Sequence, residues 1–587
     1  MRRVACFKTM PFITVVPSLR TIPGVESFDY AVPAGSDLVC GDLILVPFRK
    51  KPTPALVIAR SDSSPYAEKA IELTDPTRFI SLGPTTVALL SRLAARTFSS
   101  QPSILHSWLR KIPKRAKEPK YALPPSGQIP LAFNSRKHFS SPDLRHGSKG
   151  IIRIAKQASG RTLILSPWKK SADSLAVLLS CPVLHSDLAD GEAWRLLTGF
   201  ISGSVPRLVT TKIGAWLTCF ADRILVEEPE NDDYKQDEMA PRFDARWIVD
   251  ETYRLRRGLE VFDFSLTPRL ANTPSDTAAN IRAEPIFENL SRRGRTELEP
   301  LMATTVFRLE EAAARGRAIV IIHPPRGERS RYACSSCGWQ ALCPACGYSL
   351  TQYRHHGLCR KCGRKTPLPA ACPNCQGTDF SRGALGQERL KDQLARLPFG
   401  SVTQVWNLTQ AAESPFPPDS LVVLTNAAYL AGAVEDIRRR ERLVIAWRRL
   451  AAQAQIAKAE LIVQAQEEVL PILRETLSSE GVAKEQAREL QERQVFGFPP
   501  ADTLVKIIVD APETQAKNLM SELENALPPG WSCSGPYPVP YRADSRGARS
   551  IILAKAPPNT DPARLEQIFG AFKGLAFIDL DPVAFFC

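Results

Sequence analysis

The chain has 587 residues, which at about 100–200 residues per domain predicts three to five domains. An apolar share of 44% excludes global disorder, and no run approaches the roughly 18 consecutive apolar residues of a membrane span. The formal net charge is +15, and residues 1–150 hold 22 Lys and Arg against 10 Asp and Glu, so the front of the chain suits a polyanion.

The N-terminus, MRRVACFKTMPFITVVPSL, starts basic but keeps Lys8 and two prolines where the apolar core of an export signal would lie. A soluble, cytoplasmic protein is expected. From residue 11 to 60 the strings FITVVP, FDYAVP, DLVCGDLILVPF and ALVIA, broken by Pro and Gly turns, predict a small β domain. Residues 84–110 carry apolar side chains at three- and four-residue steps, predicting two short helices that complete a domain over 1–110. The segment 111–143 is rich in Lys, Arg, Pro and Ser without periodicity and reads as a basic linker.

From residue 150 short apolar strands alternate with helical stretches: TLILSP, SADSLAVLL, CPVLH, GEAWRLLTGF, RLVTT, RILVEE. That order predicts a parallel α/β lobe over 144–300. A second set begins with ELEPLMATTVFRLEEAAARG and AIVIIHP and resumes with QERLKDQLARL, SVTQVWNL and SLVVLTN, predicting a second lobe over 301–333 and 376–475. The stretch 433–495 is helical by composition, with basic faces such as IRRRERLVIAWRRLAAQ that read as solvated surface. Residues 476–587 mix strands and helices at α+β spacing. The expected fold class is multidomain α/β.

Between the halves of the second lobe, over 334–375, lie eight of the 14 cysteines, as four CxxC pairs: Cys334/Cys337, Cys343/Cys346, Cys359/Cys362 and Cys372/Cys375. Two such pairs complete a tetrahedral four-sulfur zinc site, so two zinc ions per chain are expected. Gly338, Gly347 and Gly363 follow three pairs and Gln376-Gly377 the fourth, where a knuckle calls for positive φ. A disulfide framework fits poorly in a large chain without an export signal, and a redox motif would show one pair, not four. His355 and His356 are surplus to eight thiolates. Trp339, Tyr348, Tyr353 and Arg354 suit nucleic-acid stacking and phosphate contact, or packing around the metal sites, equally well.

Two α/β lobes with an eight-cysteine insertion in the second, behind a basic β domain, resemble the primosomal replication-restart protein N′ (PriA) family. The matching strings are FDYAVPAG (28–35), GDLILVPFRKK (41–51), HSDLADGEAWRLLTGFISG (185–203), YKQDEMAPRFDAR (234–246), the CxxC-x5-CxxC-x12-CxxC-x9-CxxC block, ELQERQVFGFPP (489–500) and DLDPV (579–583). The resemblance implies two helicase-like (RecA-like) lobes. It also implies a 3′-DNA-end-binding domain with Phe28, Asp29, Tyr30 and Gly41 near the pocket. For the insertion it implies nested metal sites, the first and last CxxC pairs sharing one ion and the middle pairs the other; spacing alone leaves that pairing open.

Against the family pattern, the ATPase motifs are eroded. Family helicases carry G-x-x-x-x-G-K-[ST], whose backbone cradles phosphate and whose hydroxyl binds Mg²⁺. Here LRHGSKGIIRIAKQ (144–157) keeps Lys149 but has Gly150 where the hydroxyl belongs. The family's DEEH reads Glu227-Glu228-Pro229-Glu230, its SAT motif reads Ser265-Leu266-Thr267, and its arginine-bearing GRAGR is replaced by AAQAQIAKAEL (451–461), which holds only Lys458. Only about 30 residues stand where the family has a winged helix, too few for a domain. Lys149, Glu227 and Glu228 therefore read as remnants, no catalytic residue is expected, and ATP binding is in doubt.

The resemblance implies a replication-restart protein that binds abandoned replication forks, single-stranded DNA and nascent 3′ ends. Its implied partners are primosome proteins, the replicative helicase and the single-stranded-DNA-binding protein. The expected location is cytoplasmic and nucleoid-associated, without membrane contact. The alternatives are an active ATP-dependent 3′-to-5′ DNA helicase with cryptic motifs and a zinc-ribbon RNA-binding or interaction scaffold.

Overall fold

A computed structural model describes residues 11–583 apart from 20–23, 50, 75, 77, 110–132, 141–148, 238, 271–277, 293–300, 324–331, 335, 338, 345–348, 354–355, 360–363, 383–386, 432–436, 540–548, 559 and 573. Met1–Phe139, Leu144–Ser265 and Asn559–Val583 group as one compact unit, and Leu266–Pro558 is the main part of a second.

The first unit opens with strands β1 (Phe12–Pro17), β2 (Phe28–Ala31), β3 (Asp42–Phe48), β4 (Lys51–Ser61), β5 (Ile71–Glu72) and β6 (Arg78–Ser81), in sheet order β5-β2-β1-β4-β3-β6. Alternation along these strands splits their side chains between two faces. Ile13, Val15, Tyr30, Val46 and Val57 fill one interior. Val16, Leu43 and Leu56 face helices α1 (Gly83–Thr97) and α2 (Gln101–Leu109) and join a core that continues into the following sheet. Trp108 of α2 stacks on Trp216 at 5.3 Å within it.

That sheet comprises β7 (Ser135–Ser140), β8 (Thr162–Leu165), β9 (Val183–Leu184), β10 (Arg207–Thr210), β11 (Arg223–Glu227) and β12 (Glu260–Ser265), in the order β7-β12-β11-β8-β10-β9. From β12 to β9 the pairing is parallel. Helices α3 (Lys149–Gln157), α4 (Lys169–Leu179), α5 (Asp190–Ser202) and α6 (Ala245–Leu255) supply crossovers. The expected α/β alternation is present.

The segment read as linker ends in structure instead: 135–140 is the edge strand β7. Its basic string SRKHFS hides this because Arg136 and His138 both lie against acidic side chains. Arg136 Nε lies 2.6 Å from buried Asp263 Oδ2 and its Nη1 2.5 Å from Asp250, while His138 Nδ1 lies 3.2 Å from Asp263. Phe139 stacks on Phe264 at 5.4 Å.

In the second unit, β13 (Ile286–Asn289), α7 (Ala303–Ala314) and β14 (Ile319–Ile322) precede the cysteine insertion, which holds β15 (Tyr332–Cys334), β16 (Leu350–Tyr353), β17 (His356–Cys359), β18 (Lys365–Pro367) and β19 (Phe380–Arg382). After it come α8 (Gln387–Leu394), β20 (Thr403–Trp406), α9 (Leu408–Glu413), β21 (Leu421–Leu424), α10 (Arg439–Ala457), β22 (Glu460–Ala465), α11 (Leu470–Glu475) and α12 (Ser479–Phe496). The parallel sheet runs β13-β22-β21-β14-β20, so the insertion leaves and rejoins one sheet between β14 and β20. β23 (Thr503–Asp510), α13 (Glu513–Ala526), β24 (Ser532–Val539) and β25 (Arg549–Ala556) follow, with β25 antiparallel to both of the other strands.

Two expectations change. The first lobe does not extend to residue 300, because β13 pairs with β22 of the second sheet. The helical stretch 433–495 contains strand β22, whose ELIVQA is buried on both faces from Leu461 to Ala465. Helix Pro562–Phe569 and strand Phe577–Leu580 group with the first unit. There Lys235 Nζ lies 2.9 Å from Asp579 Oδ1, both side chains at most 3% exposed, and donates to the Leu580 carbonyl at 2.7 Å. The YKQ and DLDPV strings, 345 residues apart, are thus halves of one buried contact.

Candidate metal centre and nucleic-acid interface

The Sγ atoms of Cys334, Cys337, Cys372 and Cys375 all lie within 4.8 Å of one another. Cys334 is 3.5 Å from Cys375 and Cys337 is 3.6 Å from Cys372. Four sulfurs held about 2.3 Å from one tetrahedral zinc would stand about 3.8 Å apart, so the cluster is compatible with zinc. The first and last CxxC pairs come together because β15 and β19 pair antiparallel, setting Cys334 opposite Phe380. Among the described residues, this is the group of three or more Cys, His, Asp or Glu ligand atoms close enough to share a metal.

Backbone bonds close both knuckles. The Cys334 N–H donates to the Trp339 carbonyl at 2.7 Å, and the Cys372 N–H to the Gly377 carbonyl at 2.8 Å. At the last knuckle Gln376, not glycine, takes the positive φ of 59°. Gly377 serves close approach instead, since a Cβ there would lie 3.3 Å from Cys375 Sγ and 3.7 Å from Cys334 Sγ. Hydrogen bonds from the Asn374 side chain and the Trp339 backbone draw the Cys337 thiol down to about 6. Cys375 gains a lowering bond from the Gly377 backbone, but the Cys337 and Cys334 thiols outweigh it and push it up to about 12. Thiols this close resist ionising together unless a cation lies among them.

Tyr332 stacks on Phe380 at 4.3 Å, and Trp339 meets Phe380 edge-on at 6.4 Å, so Trp339 packs beside the knuckles. Cys343 and Cys359 are buried together with Ala341 and Leu350 in a neighbouring cluster. Their pair-mates Cys346 and Cys362, with Tyr348, Arg354, His355 and the Tyr353 side chain, lie outside the described residues.

At the carboxyl edge of the first parallel sheet, where α/β proteins bind ligands, stand the ends of β8, β11 and β12. Glu227, 2% exposed, closes β11, and its Oε2 accepts from Ser166 Oγ at 2.6 Å and Ser171 Oγ at 2.7 Å. Glu228 sits at positive φ (47°), its N–H bonded to the Phe264 carbonyl at 2.8 Å. Glu230 accepts from Ser265 Oγ at 2.9 Å. The resemblance-derived coupling motif and acidic motif therefore meet, but through serine–glutamate hydrogen bonds. Burial, then the charges of Glu227 and Glu228, raise the Tyr234 phenol well above its usual value. Lys149 is exposed at the first turn of α3, and the phosphate-loop positions 144–148 lie outside the described residues.

In the N-terminal sheet the four candidate residues divide. Tyr30 is a core residue, 4% exposed, its hydroxyl donating to the Pro47 carbonyl at 3.0 Å. Phe28 lies on the same face, packed against that core and edge-on to Phe48 at 5.0 Å. Gly41, at φ 98°, permits a backbone crossing, since a Cβ would come within 2.5 Å of Gly83. Asp29 points to the opposite face and accepts from Thr14 Oγ1 at 2.8 Å and Ser64 Oγ at 2.5 Å.

Two buried arginines had no sequence signal beyond their place in charged helices. Arg448 of α10 is 0% exposed; it donates to Thr267 Oγ1 at 2.9 Å and to the carbonyls of Leu266, Ala279 and Thr476. The basic run is not a solvated face here. Arg448→Ala would strip the Ala279 and Thr476 carbonyls of this buried donor at about 1–3 kcal/mol each, so a marked fall in the denaturation midpoint of the second unit is expected. Arg493 of the ELQERQVFGFPP string bonds Glu489 at 2.8 Å, Glu441 at 2.9 Å and the Pro499 carbonyl at 2.9 Å, which makes that string a structural brace.

Fold and site together define a multidomain α/β protein with two parallel sheets and a cysteine cluster able to hold a metal ion. Residues 20–110 match the 3′DNA-binding domain (3′BD) of PriA, and residues 494–583 match the primosomal protein N C-terminal domain. Among curated proteins the chain is similar to the replication restart protein PriA of Thermotoga maritima, 24% identical over 372 residues, 56% of this chain and 49% of that protein. It is also similar to the PriA of Chlamydia trachomatis, 26% identical over 220 residues, 33% of this chain and 28% of that protein. The alignments thus span about half of the first relative's length and less of the second's. Two segments of the chain thus match PriA domains, and the curated relatives it resembles are PriA proteins.

Proposed function

We propose that the chain is a non-motor DNA-binding protein of replication restart, which holds nascent 3′ ends at abandoned forks and promotes reloading of the replicative helicase through primosome assembly. The match of residues 20–110 to a 3′DNA-binding domain carries this reading. Its basic first 150 residues, with 22 Lys and Arg against 10 Asp and Glu, favour the same partner. Two zinc ions would stiffen the insertion, one on the cluster of Cys334, Cys337, Cys372 and Cys375, the other on Cys343, Cys346, Cys359 and Cys362. Primosome proteins, the replicative helicase and single-stranded-DNA-binding protein are the partners this role requires.

The non-motor half of the proposal rests on Glu227. A metal-binding acid of an ATPase presents its carboxylate to the Mg²⁺ shell, whereas Glu227 is buried and bonded to Ser166 and Ser171. Together with the lost phosphate-loop glycines and arginine motif, the residues present fit ATP–Mg²⁺ poorly. Purified, zinc-replete protein is expected to bind a synthetic fork with a nascent 3′ end in preference to single-stranded RNA. Its ATP hydrolysis should stay at background with and without that fork, and Lys149→Ala should bind forks as the unaltered chain does. DNA-stimulated turnover that Lys149→Ala abolishes would instead establish a working helicase.

A further inference from the structure

We propose that Tyr66 is the platform on which the terminal base of a bound 3′ end stacks, with Ser64 positioning Asp29 for the terminal hydroxyl; this rests on the end-binding reading of residues 20–110. Phe28 is poorly placed to stack on a base, because its ring packs against the sheet interior beside Phe48. Asp29 lies on the other face of β2, level with Thr14 of β1 and Ala59 of β4. Farther along that face, Val16 and Leu56 are covered. At the Asp29 end Thr14 and Asp29 are half-buried and Ala59 is exposed, a small side chain that leaves room over the strands.

The loop after β4 borders this open patch. Its Ser64 hydroxyl donates to Asp29 Oδ2 at 2.5 Å and accepts from the Tyr66 N–H at 3.0 Å. Tyr66 is therefore two hydrogen bonds from the carboxylate, and it is 64% exposed. An exposed aromatic beside an acid offers what a strand end needs: a flat apolar surface for the base and an acceptor for the 3′-hydroxyl. Each Asp29 oxygen has one donor in Thr14 or Ser64, which leaves a further lone pair on each for that hydroxyl. Stacking tolerates any base, which suits recognition of an end regardless of sequence.

The test uses the full chain and a short labelled oligonucleotide in three forms, ending in a 3′-hydroxyl, a 3′-phosphate or an abasic 3′ nucleotide, read by fluorescence anisotropy. Tyr66→Ala is expected to weaken binding of the 3′-hydroxyl strand about 5- to 150-fold, while Tyr66→Phe binds it as the unaltered chain does. On the abasic strand Tyr66→Ala and the unaltered chain should converge. Ser64→Ala should lower the preference for hydroxyl over phosphate without abolishing binding. If Tyr66→Ala binds all three strands normally while Asp29→Ala loses the hydroxyl preference, the end pocket stands and Tyr66 is not its platform. If the unaltered chain does not distinguish hydroxyl from phosphate, the end-binding reading itself falls.

Discussion

Replacing Cys372 with Ser is expected to cost one of two zinc ions per chain and to unfold the knuckle that β15 and β19 close. A four-sulfur site that loses one thiolate loses much of an apparent binding free energy of about 10–16 kcal/mol, and that binding is also folding free energy. Among the described residues of the insertion the buried apolar cluster is small: Ala341, Cys343, Leu350 and Cys359, with Tyr332, Trp339 and Leu368 packed against it. Metal content by elemental analysis, with hydrogen exchange along the chain, reads the result. Protection should vanish around 332–382 and persist in β8, β10 and β11, which belong to the other unit. Cys343→Ser should release the second ion and leave the first, because Cys343 is not among the four converged sulfurs. Unchanged zinc in Cys372→Ser, or loss of both ions in every single variant, would contradict the nested pairing.

The second large effect is expected at the Lys235–Asp579 pair. Asp579→Ala would leave a lysine ammonium that is 3% exposed facing carbonyl oxygens alone. Removing one partner of a buried pair costs about 3–5 kcal/mol, because the survivor stays desolvated and uncompensated. Denaturant unfolding of the first unit should shift by at least that amount, because Arg242, 3.7 Å from Asp579, loses the same acid and adds like charge. The double variant Lys235→Met/Asp579→Leu should recover most of the loss, since apolar replacement of both partners is near neutral. A double variant no more stable than Asp579→Ala would show that the site tolerates no apolar pair, and that the ions are not the source of the cost.

Motifs that act through neighbours in sequence were legible in the chain. Four CxxC pairs announced thiolate sites, and short apolar strands between helices announced parallel sheets. β7 was not legible, because Arg136 and His138 look solvated until Asp263 is known to lie beside them. Nor was the buried ion pair between Lys235 and Asp579, which joins positions far apart in the chain. Of the expected DNA contacts, the core placement of Tyr30 followed from strand alternation alone. Tyr66 carried no motif, and its interest comes from hydrogen bonds that join a loop to β2 through Ser64.

By itself the sequence determined the chemistry available: eight thiols at metal spacing, a basic front, and a phosphate motif without its glycines or hydroxyl. These are properties of residue type and local spacing, and they hold however the chain folds. Only the tertiary structure decided which thiols meet, that Glu227 spends its carboxylate on two serines, and that Arg448 and Arg493 are internal braces. Those outcomes depend on side chains far apart in sequence sharing a water-poor interior, where a charge must find its partner or not be buried.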